Sequence, residues 1–329
     1  MGKLKCAFIV LLSCLFLVSC DAQAASEREN SVCIASWNVQ NLFDAKTDGT
    51  EYEEYTASSG WTQSAYEARL SNVGKVLGYL PDAGSYILVL NEIEGPDVVE
   101  DIIKLSDAQK MGLCWYACAG APGGAIRTAV VSSIPISSAC IHDAGASVRP
   151  ILEVGFDTEN GKLFILAVHF KSNVDGVDAT APLRLQAAMV VAQISRSLEA
   201  ENPGCLVLVC GDMNEECRDG NCMGRTGSPP LKVTGGFSTG SWYCFWLDES
   251  LALWPGGSYM YRDEWKSYDN ILISRTGRDG SGWEYEECGV VFEGVLKTAD
   301  SKPYAWSRNL LKGVSDHLPV WVKLSVPLP

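Results

Sequence analysis

Short runs of β-branched and aliphatic residues recur along the chain, and each ends abruptly in a polar group. Residues 32–36 (VCIAS), 86–90 (YILVL), 128–132 (TAVVS), 163–168 (LFILAV), 205–210 (CLVLVC) and 271–273 (ILI) are too short for helices and largely apolar throughout. They predict buried strands. Residues 64–80 and 182–198 instead carry apolar side chains at helical spacing, with Pro81 and Pro203 as stops, and predict helices laid over a sheet. Strands separated by helices, then a strand-rich second half, predict an α/β fold of two facing mixed β-sheets with helices outside. Neither an internal repeat nor a low-complexity linker divides residues 32–326, which are expected to form one domain.

The polar groups that close these runs carry the chemistry. Asn38 follows the first, Asn91-Glu92 the second and His169 the run at 163–168. Gly211-Asp212-Met213-Asn214 follows 205–210, Asp269-Asn270 precedes 271–273, and Ser315-Asp316-His317-Leu318-Pro319-Val320 leads into the last apolar stretch. Any one cluster alone reads as a polar turn. Together they place acids, amides and two of the chain's three histidines at strand edges, where open α/β sheets bind ligands. Asp212 and Asn214 are two apart, so in extended backbone they point the same way.

Glu92, Asp212 and Asp316 supply hard oxygen ligands, while Asn38 and Asn214 supply amide oxygens or donors. This set suits Mg²⁺ or Mn²⁺ and suits zinc poorly, because no Cys/His cluster at metal-ligand spacing accompanies it. Such a centre is built for phosphate esters, whose hydrolysis needs an activated water and neutralised oxygens. His317, with Asp269 as partner, fits the role of general base or phosphate-binding imidazolium, with His169 facing the phosphate from another strand. No Walker loop or nucleophile elbow competes with this scheme.

In order along the chain, SWNV with Asn38, LNE ending at Glu92, VHF centred on His169, GDMN with Asp212 and Asn214, YDNILIS with Asp269, and SDHLPV with Asp316 and His317 resemble the motifs of the endonuclease/exonuclease/phosphatase superfamily, the deoxyribonuclease I-like proteins. The resemblance implies a four-layer α/β/β/α sandwich. It implies Glu92 as the main metal ligand, assisted by Asn38 and Asp316, and Asp212 as the group that orients or deprotonates the attacking water. It further implies Asn214 on the phosphate or its loop, His317 paired with Asp269, and His169 on the scissile phosphate. Asn91, where many members carry Gln, and Asn270, where a bulkier residue often follows the Asp, depart from the pattern. The stretch from Gly257 through Tyr259 to Trp265 is similar to one in bacterial members; Tyr259 is a candidate for stacking on substrate, and Arg127 for reaching a phosphate.

The N-terminus carries Lys3 and Lys5, an apolar run over 7–18, then Leu17-Val18-Ser19-Cys20. A basic segment before a short apolar run predicts an export signal, and the last four residues resemble a bacterial lipobox that implies lipid attachment at Cys20. Residues 21–31 are then expected to form a short tether to a bacterial membrane, on its periplasmic or cell-surface face. With three cysteines in the signal or lipobox, ten of the chain's thirteen remain in the folded part, which permits disulfides; Cys217 and Cys222 form the best candidate pair. The formal charge of −14 gives no basic footprint for nucleic acid, although a bound cation and a local groove still permit a nuclease. Three function classes therefore remain: a nuclease on DNA or RNA, a phosphatase or phospholipase acting on inositol phosphates or sphingomyelin-like lipids, and a non-catalytic binding lipoprotein of the same fold. For the lipid case, residues 242–246 (WYCFW) are the candidate contact. No protein partner is predicted.

Overall fold

The computed structural model describes residues 31–218, 223–224 and 228–326. The expected signal, Cys20 and Cys222 lie outside the described residues. In chain order the strands are β1 (Ser31–Leu42), β2 (Ser85–Ile93), β3 (Trp115–Gly120), β4 (Arg127–Ser132), β5 (Ser138–His142), β6 (Ile151–Thr158), β7 (Gly161–His169) and β8 (Leu206–Asp212). They continue as β9 (Met223–Gly224), β10 (Leu231–Thr234), β11 (Trp242–Cys244), β12 (Tyr259–Tyr261), β13 (Glu264–Lys266), β14 (Asp269–Ile273), β15 (Glu284–Val290) and β16 (Val320–Ser325). The helices are α1 (Gln63–Leu77), α2 (Pro96–Ile103), α3 (Ser106–Lys110) and α4 (Val177–Glu201).

Two mixed sheets result, in the orders β15-β16-β1-β2-β4-β3 and β5-β6-β7-β8-β14-β11-β10-β9, with β12 and β13 as a separate hairpin. In the first, β1 and β2 are parallel; in the second, β7 and β8 are. Side-chain alternation on β1 shows why they face each other. Val32 and Ile34 enter a core shared with Ile165, Val209 and Ile271 of the second sheet, whereas Cys33, Ala35 and Trp37 pack with Val73 and Leu77 of α1 and Val99 and Ile102 of α2. On the far side, Ala187, Ala188 and Val191 of α4 join the core of the second sheet. The order helix, sheet, sheet, helix is the four-layer sandwich expected from the sequence.

Helix α1 ends at Leu77, short of the expected stop at Pro81, and begins where the Thr62 side chain accepts the Ala65 N–H. The other expected helix is corrected more substantially: α4 starts at Val177, so Pro182 lies inside it rather than at its head. Buried Arg184 braces the turns ahead of the proline. Its guanidinium donates to the Val177 carbonyl and the Thr180 hydroxyl, and its Nε lies 3.3 Å from Glu215, so the irregular first turns are held from the side. Residues 242–246, the candidate lipid contact, are likewise corrected: all five side chains are buried, and they belong to the core of the second sheet.

Candidate active site

Strand register assembles the polar groups. On the second sheet His169 of β7 stands opposite Asp212 of β8, and Asp212 opposite Asp269 of β14, so three chemically active side chains form one row across three strands. On the first sheet Asn38 is in register with Asn91. Asn38 continues the inward face of Val32 and Ile34, and its Nδ2 reaches across the sandwich to Asp212 Oδ2 at 3.1 Å and, within its own sheet, to Glu92 Oε1 at 3.0 Å. Asn91 bridges the sheets in the same direction, donating to the Val168 carbonyl at 3.0 Å and accepting the Asp212 N–H at 2.9 Å. The Asn that departs from the family's usual Gln is therefore a brace between the layers.

Alternation alone would turn Glu92 toward the helices, beside Leu88 and Leu90. A shift of register on β2 between Asn91 and Ile93, with φ of +65° at Glu92, turns it inward instead. Left-handed backbone recurs at Gln40 and Asn41 (both φ +55°) and at Asn214 (φ +49°), all at strand ends that line the site. Non-glycine residues hold such angles only where the surroundings over-determine them, and that occurs most often at functional sites. Gly211 satisfies a related constraint: a Cβ there would lie 1.8 Å from the Val168 carbonyl oxygen, so only glycine lets β8 approach β7 ahead of Asp212.

The electrostatics separate the roles. Burial pushes the Asp212 carboxyl up to about 7, against the nearby His317 charge, which lowers it, while Asp269 reinforces the rise. A carboxylate so placed accepts a proton in the neutral range. Burial, then the charges of Arg149 and His317, hold His169 well below the ordinary imidazole value, so it is neutral; its Nε2 lies 3.8 Å from both Glu92 Oε1 and Asp212 Oδ2. For His317 burial acts downward too, but the charge and hydrogen bond of Asp269, with Asp212 and Asp316, outweigh it and raise it well above the ordinary value. His317 Nδ1 sits 2.7 Å from Asp269 Oδ2, and that oxygen also accepts the Ser258 hydroxyl at 2.6 Å. The ring of Tyr259 lies 4.5 Å from that of His317 and stacks on Tyr268, so Tyr259 packs against the imidazole.

Asn214 closes the turn after β8. Its N–H donates to Asp212 Oδ1 at 2.9 Å, and its side chain to the Phe170 carbonyl at 3.2 Å. Asp316 is half-buried beside His317, its N–H donating to Gln40 Oε1 at 3.2 Å. Arg127 stands further out, its Nε donating to the carbonyl of Glu94, two residues beyond Glu92. Sequence reasoning missed Arg149, whose guanidinium donates to the Phe170 carbonyl at 3.1 Å and whose charge acts on His169. It also missed Asn173, which donates to the Asn214 carbonyl at 2.8 Å. No strand-end pattern marks either residue: Arg149 lies in a loop and Asn173 opens a single 3-10 turn, Asn173–Asp175. Cys217, expected to pair with Cys222, lies 2.9 Å from the sulfur of Cys244 and 3.0 Å from Asn270 Oδ1, on the core side of β14.

A divalent cation fits this donor set on one condition, that water and substrate complete its shell. Among the described residues no three His, Cys, Asp or Glu side chains form a protein-only cage. Mg²⁺ ordinarily takes one or two carboxylates and keeps its waters. The Glu92 side chain is 18% exposed, and each of its oxygens accepts a single donor, from Asn38 Nδ2 and from the Asn41 N–H. It therefore retains lone pairs facing solvent. Asn38 Oδ1 is already engaged by the Gln40 N–H at 2.9 Å, so in this geometry the amide orients Glu92 and Asp212 rather than offering its oxygen.

A family model described as the endonuclease/exonuclease/phosphatase family matches residues 33–326. No curated protein sequence matches the chain. Among solved structures, truncated Caenorhabditis elegans TDP2 superposes with a TM-score of 0.58 at 16% identity, covering 90% of this chain and 98% of that one. D. rerio TDP2 complexed with single-strand DNA product gives 0.54 at 16% identity, covering 90% and 99%. An endonuclease/exonuclease/phosphatase family protein from Bacteroides thetaiotaomicron gives 0.55 at 14%, covering 91% and 98%. At these identities the structural likeness speaks for the fold, while the family match spans nearly all of the described chain and agrees with the ordered motifs that meet in the site. The chain belongs to the endonuclease/exonuclease/phosphatase family.

Proposed function

We propose that this protein is a divalent-metal-dependent phosphodiesterase acting on nucleic acid, exported and anchored through a lipid on Cys20. The observation that carries the catalytic part is the row His169, Asp212 and Asp269 on one sheet facing Glu92 on the other, with His317 clamped on Asp269. Asp212 holds the attacking water and takes its proton as the water oxygen bonds to phosphorus and the ester P–O bond breaks, the leaving oxygen departing as an alkoxide that takes a proton from solvent. His317, kept charged by Asp269, donates to a phosphate oxygen and stabilises the charge that develops there. Neutral His169 faces the same phosphate without adding to the repulsion between cations. A cation held by Glu92 and Asp316 would supply neutralisation of the remaining phosphate charge. The D. rerio TDP2 relative holds a single-strand DNA product on the same fold, which supports a nucleic-acid substrate. Export and anchoring are supported by residues 1–20 alone.

The protein should be incubated with Mg²⁺ against single-stranded DNA, plasmid DNA, RNA, inositol phosphates and sphingomyelin. Cleavage of a nucleic acid, abolished in His169→Ala and Asp212→Asn, supports the assignment. Turnover of the lipid or inositol substrates alone would move the substrate class, and no turnover of any by folded wild type would refute catalysis.

A further inference from the structure

Arg69, on α1, is fully buried, and among the described residues no carboxylate lies within ion-pair distance of it. A buried guanidinium without an anion is costly unless its donors are satisfied. Here Nε has no hydrogen-bond partner among the described residues, and the two terminal nitrogens are held by three successive backbone carbonyls at the end of β1, with the Tyr55 hydroxyl at 3.5 Å from Nη1. Nη1 donates to Asn41 O at 2.7 Å, and Nη2 to Val39 O at 2.7 Å and also to Gln40 O. The indole of Trp306 covers the guanidinium, 5.4 Å from ring centroid to carbon.

Drawing three consecutive carbonyls to one side requires the left-handed angles seen at Gln40 and Asn41, and that has a consequence on the other side of the chain. The Gln40 N–H is turned onto Asn38 Oδ1 at 2.9 Å and the Asn41 N–H onto Glu92 Oε2 at 2.8 Å. The Gln40 side chain reaches the N–H groups of Asp316 at 3.2 Å and Trp306 at 2.8 Å. One guanidinium thus sets a turn whose other face touches Asn38, Glu92 and Asp316. A lysine could not do the same, because a single ammonium lacks the planar fork that engages separate carbonyls in fixed directions.

We propose that Arg69 is a positioning residue for the cation site, acting through the backbone of residues 39–41 to orient Asn38, Glu92 and Asp316; this rests on the metal-dependent reading above. The test is Arg69→Lys in the folded protein, with two readouts. One is hydrogen exchange at the Asn41 amide without added cation; the other is Mn²⁺ binding followed by the electron paramagnetic resonance of free Mn²⁺. The expected result is loss of Asn41 protection and Mn²⁺ affinity weaker by about 10- to 100-fold, as when an outer partner of a metal ligand is removed. Gln40→Ala, at a half-buried position, should weaken Mn²⁺ binding in the same direction and decides the matter if the Arg69 variant does not fold. Wild-type Mn²⁺ affinity in folded Arg69→Lys, or in Gln40→Ala, would overturn the inference. Wild type that binds no Mn²⁺ would instead overturn the metal-dependent reading beneath it.

Discussion

Replacing Asp269 with Asn tests what His317 does. The carboxylate lies 2.7 Å from His317 Nδ1 in a fully buried position, and it is the partner that outweighs burial to keep the imidazole charged. An amide in its place would retain the shape and the contact with Ser258 but not the charge. A hydrogen bond between charged groups contributes about 1.5–3 kcal/mol. At about 1.36 kcal/mol per pH unit this lowers the His317 pKa by about one to two units. If the imidazolium stabilises the phosphate, kcat/KM falls as pH rises through that value, so the alkaline limb of the profile moves down by the same amount in Asp269→Asn. Stability should follow. Because the folded-state pKa of His317 is raised, its contribution is fully present below the unfolded value of about 6.5 and is lost as pH rises through the folded value. Urea unfolding should therefore show the gap between wild type and variant widest below about pH 6.5 and closing on the alkaline side. An alkaline limb that stays in place, or a stability gap that widens with pH, would refute the imidazolium role.

Three further outcomes follow from the geometry. Asn91→Leu strands the Val168 carbonyl and the Asp212 N–H between the sheets; at about 1–3 kcal/mol for each, unfolding free energy should drop by about 2–6 kcal/mol, with kcat falling alongside. Leu208→Ala, buried in the middle of β8, should cost about 2–5 kcal/mol in urea unfolding and leave kcat of the folded fraction unchanged, separating packing from chemistry. Cys20→Ala should move the protein from the membrane pellet to the soluble fraction on ultracentrifugation of cells producing the full chain, and unchanged pelleting would count against the lipid anchor.

Elements whose signal is local were readable in the chain. The apolar runs at 32–36, 86–90, 163–168 and 271–273 all fall inside strands, because a strand buried on both faces must be apolar throughout. Asn38, Glu92, His169 and Asp212 follow such runs, while Asp269 and His317 stand ahead of theirs, and the strand pairing brings these flanking polar groups together. What escaped depends on distant partners. Helix α4 begins before its proline, its first turns braced by Arg184, and helical periodicity carries no trace of that contact. Arg69 reads as an ordinary cation of an amphipathic helix, since its partners are backbone carbonyls that have no side-chain signature. The aromatic run at 242–246 resembled a surface patch because hydrophobicity alone does not distinguish a membrane from a core.

The last strand has a consequence in time as well as in space. β16 is hydrogen-bonded between β15 and β1, and the loop ahead of it carries His317, whose carbonyl accepts the Trp37 indole N–H, and Ser315, whose hydroxyl donates to the Asn38 carbonyl at 2.7 Å. The opening strand of the sandwich thus remains without one neighbour until the closing residues of the domain have been made. Pairings of such long sequence separation form late and slowly. A chain interrupted before Val320 would hold Asn38, Glu92 and Asp212 but lack the strand that seats the histidine beside them, so the centre is complete only once β16 has joined β1.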